Sequence, residues 1–188
     1  MRIRRHALKA FFVVALIAMV GAAIDVPNAM AGSTTPVDTS VSAISKQVHH
    51  NLMMLPWYGV FDNLEYQING TEVKLSGQVT SEHAVTESDA VNAVKSIPGV
   101  TNVVDNIEVL PVSMFDDQIR RYEYRTIFSK SDLGRYTMGA IPPVHIIVRN
   151  GHVFLEGAVI NQMDKTMAGM FANSVPGVFS VTNDLKIG

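Results

Sequence analysis

The stretch Asn150-Gly-His-Val-Phe-Leu-Glu-Gly-Ala-Val159 repeats a pattern already present at Asn69-Gly-Thr-Glu-Val-Lys-Leu-Ser-Gly-Gln-Val79. In both stretches an Asn-Gly pair precedes alternating apolar and polar residues, which predicts a hairpin turn followed by a half-buried β-strand. The copies lie about 80 residues apart, a spacing that suits tandem small domains rather than a solenoid. The sequence is therefore built on an internal repeat.

Each copy predicts the same order of elements. A helical stripe comes first, then a strand, the hairpin, a second strand, a second helix over about 82–96 or 161–174, a Pro-Gly turn and a last strand. This α-β-β-α-β unit is an α+β fold with two helices on one face of a three-stranded sheet. The first-helix stripes comprise Val41, Ile44, Val48, Leu52 and Leu55 in copy 1, and Phe115, Ile119, Tyr122 and Thr126 in copy 2. The predicted turn residues are Asn69, Gly70, Gly99, Asn150, Gly151 and Gly177, and the strand glycines that should permit either a bulge or close packing are Gly77 and Gly157.

The repeated unit resembles the BON domain of bacterial osmotically induced and nodulation proteins. The hairpin motif, a helix of small residues, and the closing segments Gly99-Val-Thr-Asn-Val103 and Gly177-Val-Phe-Ser-Val181 carry the likeness. Two copies are similar in layout to the osmotically inducible periplasmic proteins of Gram-negative bacteria. The resemblance implies binding to phospholipid or membrane surfaces under envelope or osmotic stress, and it implies no catalysis.

The N-terminus has the pattern of a secretory signal peptide. Basic residues precede a nearly continuous apolar run from Ala10 to Ile24, and Ala29-Met30-Ala31 forms an A-x-A cleavage pattern. The run is shorter than the roughly 20 residues that span a bilayer, so we expect cleavage after Ala31 and a periplasmic location; an uncleaved membrane anchor is the alternative. The predicted divisions are a signal peptide over 1–31, a linker over 32–40, a first domain over 41–110 and a second domain over 111–188.

Composition and charge exclude several function classes. The sequence contains no cysteine, which removes disulfides and thiol chemistry. Residues 32–110 carry 3 Lys/Arg against 9 Asp/Glu and residues 111–188 carry 8 against 7, which is not the basic balance of a nucleic-acid binder. No hydrolase, zinc-protease or P-loop motif occurs. Adjacent His49 and His50 point about 100° apart on a helix, which is the wrong geometry for a shared metal ion. We expect no enzyme activity, metal or cofactor.

The second helix of copy 2 carries methionines at positions that are polar in copy 1. Counted back from the Pro-Gly turn, Ala168 and Ala172 match Ala90 and Val94, so those positions should face the core. Polarizable methionines on the opposite side suit an adaptable binding surface. The residues predicted to form this exposed stripe are Met163, Met167 and Met170.

The first helix of copy 2 adds basic and aromatic residues to the same surface. If its apolar stripe faces the sheet, the side chains that face away are Arg121, Tyr124, Arg125 and Phe128, with Arg120 beside them. Such a mixture suits a lipid headgroup interface. The sequence therefore predicts docking on an anionic phospholipid membrane. The alternative is a structural or assembly protein of the envelope that binds a protein partner through the methionine face.

Overall fold

The computed structural model describes residues 38–81, 85–129, 131–139 and 141–188. The predicted signal peptide and most of the predicted linker lie outside these residues. The elements, in chain order, are α1 (Val41–Met53), β1 (Asn63–Asn69), β2 (Glu72–Val79), α2 (Val85–Lys95), β3 (Asn102–Val109), α3 (Met114–Phe128), a 3-10 helix (Ser131–Thr137), β4 (Val144–Arg149), β5 (His152–Val159), α4 (Gln162–Asn173), β6 (Ser180–Asn183) and β7 (Lys186–Ile187).

The two repeats build two sheets of the same topology. In the first sheet β2 lies in the middle, antiparallel to β1 and parallel to β3. In the second sheet β5 is antiparallel to β4 and parallel to both β6 and β7, which divide the last strand between them. The helices α1 and α2 pack on the first sheet and on each other, and α3 and α4 do the same on the second. The predicted α-β-β-α-β architecture is confirmed in both copies.

Each sheet buries an apolar core beneath its helices. The predicted helix residues Ala90 and Val94 in copy 1, and Ala168 and Ala172 in copy 2, are all buried. The first core comprises Ile44, Val48, Leu52, Leu55, Tyr58, Leu64, Val73, Leu75, Val79, Ala90, Val94, Ile97 and Ile107. The second comprises Ile119, Ile127, Phe128, Leu133, Tyr136, Val144, Ile146, Val148, Val153, Leu155, Val159, Ala168, Ala172 and Leu185.

The two hairpins differ by one residue in the position of their turns. Arg149 pairs with His152, so Asn150 and Gly151 are the central residues, with φ angles of 52° and 78°. That pattern is a type I′ turn, which matches the twist of the strands. In copy 1 Asn69 pairs with Glu72, so the turn residues are Gly70 and Thr71 and only the glycine has a positive φ. The central position predicted for Asn69 is wrong, because the additional Thr71 moves the turn by one residue.

A glycine in the second strand of each hairpin permits a close backbone approach. Gly77 pairs with Leu64 and has a φ of 116°, and a Cβ there would overlap the carbonyl oxygen of Asn63. Gly157 has a φ of 102°, and a Cβ there would overlap the carbonyl oxygen of Pro143. The β1–β2 register continues past Gly77 without an extra residue, and β5 keeps one register with β6 before Gly157 and with β7 after it. Close approach, not a bulge, is therefore the reason for glycine.

The helix α3 is rotated relative to its predicted orientation. Phe115 and Tyr122 are 47% and 43% exposed instead of facing the sheet, and only Ile119 of the four predicted inward residues is fully buried. The carboxylate of Asp116 accepts hydrogen bonds from the backbone N–H groups of Asn150 (2.9 Å) and Gly151 (2.8 Å). Because Asp116 is buried and holds the hairpin turn, the inner side of α3 includes polar residues. A prediction made from the apolar residues alone could not show this.

The irregular segment between α3 and β4 completes the second core. Its 3-10 helix buries Leu133 and Tyr136. The Tyr136 hydroxyl donates to the Asp164 carboxylate at 2.5 Å and accepts from the N–H of Ile160, and Arg135 pairs with the same carboxylate. The Tyr136 hydrogen bond, followed by Arg135, lowers the pKa of Asp164. These bonds attach the segment to the start of α4.

One acid is buried in the second domain without a polar partner. Glu123 of α3 has no exposed surface, and neither carboxylate oxygen has a hydrogen-bond partner among the described residues. A Cβ added at Gly99 would approach Ile44, and one added at Gly177 would approach Ile119. The two isoleucines therefore occupy equivalent positions, and Glu123 corresponds to the core residue Val48, one turn further on. Burial raises the pKa of Glu123 to about 8.

The first prediction concerns Glu123→Gln. The folded protein retains a proton that the unfolded chain loses near its ordinary pKa of 4.5, so this group favours folding at acidic pH. Its contribution falls by up to about 1.4 kcal/mol per pH unit as the pH rises, until it is lost above about 8. Glu123→Gln should flatten this part of the dependence of unfolding free energy on pH, measured by urea denaturation. The control Glu65→Gln, at an exposed position, should leave the slope of unfolding free energy against pH as in the unaltered protein. The same slope in Glu123→Gln would contradict a buried, protonated Glu123.

The second prediction compares Gly77→Ala with Gly70→Ala. Both residues have a positive φ, but a Cβ at Gly70 meets nothing within 4 Å. Gly70→Ala should cost only the conformational strain, about 1–2 kcal/mol. Gly77→Ala adds a backbone collision and should cost about 2–5 kcal/mol, seen as a lower urea midpoint. Equal losses in the two variants would show that close approach at Gly77 is unimportant.

Candidate functional site

The candidate site lies where the first domain meets the edge of the second sheet. The N–H of Ile146 in β4 donates to the carbonyl of Val60 at 2.7 Å. Val60 and Phe61 pack against the second core, and in return Ile141 packs against the first. Each domain therefore contributes apolar side chains to the core of the other, which fixes the two walls of the site.

A buried histidine and a surface ion pair support the same junction. The ring of His145 lies 5.5 Å from the ring of Tyr58, and its Nδ1 is 3.3 Å from the carbonyl oxygen of Gly59. Burial lowers the pKa of His145, which favours the neutral ring. Arg149 of β4 binds Glu108 of β3 at 2.9 Å. The loop that precedes β1 is thus held against β4.

A groove of about 580 Å³ opens at this junction. One wall is the outer face of α3, and the other is formed by the loop before β1 and by the segment before β4. The lining residues are Gly59, Val60, Phe61, Arg121, Tyr124, Arg125, Thr137, Gly139 and Pro142. Aromatic and aliphatic groups thus line the groove together with two guanidinium groups, a combination suited to a ligand that is anionic at one end and apolar at the other.

The aromatic part of the groove is a row of three rings. Tyr124 is 37% exposed and lies with its ring 6.3 Å from that of Phe61 and 5.1 Å from that of Phe128, both edge-on. Edge-to-face packing orients aromatic rings. The first domain therefore helps to hold Tyr124 at the groove surface through Phe61.

The two arginines lie one helical turn apart on α3. Arg121 and Arg125 are exposed, and each lines both the groove and a second open hollow along the outer face of α3. Among the described residues, no acidic side chain forms an ion pair with either arginine. Guanidinium groups with such spacing can meet phosphate oxygens bidentately.

Two residues predicted for this surface are buried instead. Arg120 is 4% exposed; its guanidinium donates to the carbonyl of Val148 at 2.7 Å and pairs with Asp117. Phe128 is 7% exposed and belongs to the second core. The surface placement predicted for both is wrong, because the rotation of α3 turns them towards β4.

The methionine stripe of α4 is exposed at both ends. Met163 and Met170 are 70% and 66% exposed, as predicted. Met167 is half-buried against the second core, so its predicted full exposure is wrong. Since α3 and α4 pack side by side, Met163 and Met170 extend the outer surface of the second domain.

Sequence reasoning missed the contribution of the first domain to the groove. Val60 and Phe61 follow a tight turn before β1, and no pattern in the sequence associates them with a strand 86 residues further on, the separation of the Gly59–His145 contact. Within the described ranges, no group of three or more histidine or acidic side chains could hold a metal. In the same ranges, no helix combines the length and apolarity needed to cross a bilayer.

Comparison with known proteins agrees with the repeat. A curated relative, osmotically-inducible protein Y of Escherichia coli strain K12, is 32% identical over 117 residues. The alignment covers 61% of this chain and 56% of that protein, so the chain spans little more than half the length of the relative it matches.

Two solved structures of CdsD, a structural protein of the type III secretion system of Chlamydia trachomatis, align over 76% and 77% of this chain and 96% and 93% of theirs. Both have 13% identity and a TM-score of 0.26.

The model of the BON domain matches residues 55–111 and 134–188, one segment in each repeat. The chain therefore belongs to the BON domain family and carries two copies of the domain in tandem.

Proposed function

We propose that this chain is a non-catalytic periplasmic protein that docks on anionic phospholipid surfaces and serves the envelope under osmotic stress. The docking surface is the outer face of the second domain, centred on α3. The name of the osmotically inducible relative supports the link to osmotic stress. The periplasmic location follows from the predicted signal peptide.

The arginine-flanked groove is the observation that carries this proposal. Arg121 and Arg125 lie at the groove beside the exposed ring of Tyr124 and next to Phe61. Guanidinium groups bind phosphate, and tyrosine is favoured where a protein meets the boundary between headgroups and acyl chains. The arrangement therefore matches the two layers of a lipid surface.

The electrostatic part of the binding energy comes from two arginines. Each basic residue near an anionic leaflet contributes about 1 kcal/mol, and the buried Arg120 adds nothing at the surface. About 2 kcal/mol holds a protein only weakly, so apolar contacts must assist. The exposed side chains of Met163 and Met170 supply them on the neighbouring helix.

The alternative function is assembly with an envelope protein through the methionine surface. Met163 and Met170 are exposed, and flexible thioether side chains also suit protein partners. The two functions differ in their dependence on lipid charge. Binding to a lipid surface requires Arg121 and Arg125 and weakens as the salt concentration rises. Binding to a protein partner through apolar contacts requires neither arginine and does not weaken with salt.

The third prediction tests the arginines with vesicles of phosphatidylglycerol and phosphatidylcholine. Replacing both Arg121 and Arg125 with alanine should weaken binding to anionic vesicles by about 30-fold, the equivalent of about 2 kcal/mol. Co-sedimentation over a range of lipid concentrations measures this change. Binding of the unaltered protein should fall as salt rises and should be far weaker on pure phosphatidylcholine.

The matched control replaces two exposed lysines of the first domain, Lys74 and Lys95, with alanine. This double variant loses the same charge away from the groove and should bind as the unaltered protein does. Equal loss in the two double variants would show that only net charge matters. If no binding to anionic vesicles is found, the lipid function fails and the protein-partner alternative takes its place.

A further inference from the structure

The end of α1 presents four metal donors within six residues, two of them soft thioethers and two of them borderline imidazoles. His49, His50, Met53 and Met54 supply two imidazoles and two thioethers. No aspartate or glutamate occurs between Asp38 and Asp62, so hard cations such as Mg²⁺ and Ca²⁺ find no carboxylate ligand within this segment. His49 and His50 do not lie on one face of the helix. Each histidine has a methionine four residues further on, Met53 and Met54, that does lie on its face.

Helix geometry brings the four donors to one side of α1. The N–H of Met54 donates to the carbonyl of His50 at 3.1 Å, so the helical path continues to the capping residue. At 100° per residue, the four side chains fall within an arc of about 140°. Ile44, Val48 and Leu52 bury the other side, which leaves His49, His50 and Met54 exposed and Met53 at the margin of the core.

Exposure shows that most of these donors do not serve the core. His49 and His50 are exposed and Met54 is 68% exposed. Met53 is half-buried against the first core. An exposed methionine next to two exposed histidines contributes little to folding, so its packing does not account for its presence.

The chemistry of the cluster selects a soft monovalent cation. Thioethers favour Cu(I), and imidazole suits copper as well. The cluster occupies the last turns of α1, where the helix dipole favours positive charge. Lys46 is exposed on the same side one turn earlier, and its charge disfavours a divalent ion more than a monovalent one.

The second repeat carries different chemistry on the equivalent face. With Ile44 aligned to Ile119 through their shared contacts with Gly99 and Gly177, His49 and His50 correspond to Tyr124 and Arg125. The face that holds an arginine and a tyrosine at the groove of the second domain thus holds imidazoles in the first. The equivalent faces of the two repeats therefore carry different ligand-binding groups.

We propose that the last two turns of α1 bind Cu(I) through the imidazole of His50 and the thioether of Met54, with a third donor from His49 or Met53. This site lies in the first domain and is independent of the lipid surface. Trp57 is 60% exposed, and two tight turns connect it to the end of α1. It is the single tryptophan of the sequence, so its fluorescence reports on this site.

The fourth prediction uses Ag(I), the redox-inactive analogue of Cu(I), in chloride-free buffer. Titration of the purified protein should quench Trp57 fluorescence and saturate at one equivalent. Even the loss of a supporting ligand contact weakens metal sites by about 10–100-fold, so His50→Ala and Met54→Leu should each weaken Ag(I) binding at least about tenfold. Met138→Leu, a change at another exposed methionine, should leave the titration unchanged, and Zn²⁺ at the same concentrations should not displace Ag(I).

Competition with a chromogenic Cu(I) chelator measures the same site without fluorescence and should give one tightly held Cu(I). Both variants replace exposed side chains, and circular dichroism should show an unaltered fold. The proposal is overturned if His50→Ala and Met54→Leu retain the affinity of the unaltered protein, or if Zn²⁺ binds more tightly than Ag(I).

Discussion

The hydrogen bond from the N–H of Ile146 to the carbonyl of Val60 is the interaction on which the architecture of the groove depends. It brings the loop of one repeat onto the sheet edge of the next, so that Phe61 lies beside Tyr124. Without it the second domain would present an open strand edge and a groove with one wall. A loop that covers an edge strand in this way also hinders its pairing with another chain.

Much of the fold could be predicted because it depends on local rules. The positive φ angles at Asn150 and Gly151 follow from turn chemistry, and the burial of Ala168 and Ala172 follows from the repeat alignment. The orientation of α3 could not be predicted, because the buried groups Asp116, Arg120 and Glu123 share its inner face with apolar ones. A prediction that considers only apolar residues therefore gives such a helix the wrong rotation about its axis.

The candidate site was predictable only in part for the same reason. Arg121, Arg125 and Tyr124 reach the surface, whereas Arg120 finds a backbone carbonyl and Phe128 a core position. The contribution of Phe61 depends on contact between distant parts of the chain, which no local pattern contains. The histidine and methionine cluster at the end of α1 is local in sequence. Its four-residue spacing can be recognised once thioether sulfurs are counted among the candidate metal ligands.

The exchange of side chains between the two cores also determines when the groove can form. Its walls come from the loop before β1 and from segments 60 or more residues further along the chain, and contacts so distant in sequence carry a loop-closure cost that slows folding. A ligand that needs both walls of the groove would therefore bind only after both repeats have folded and docked.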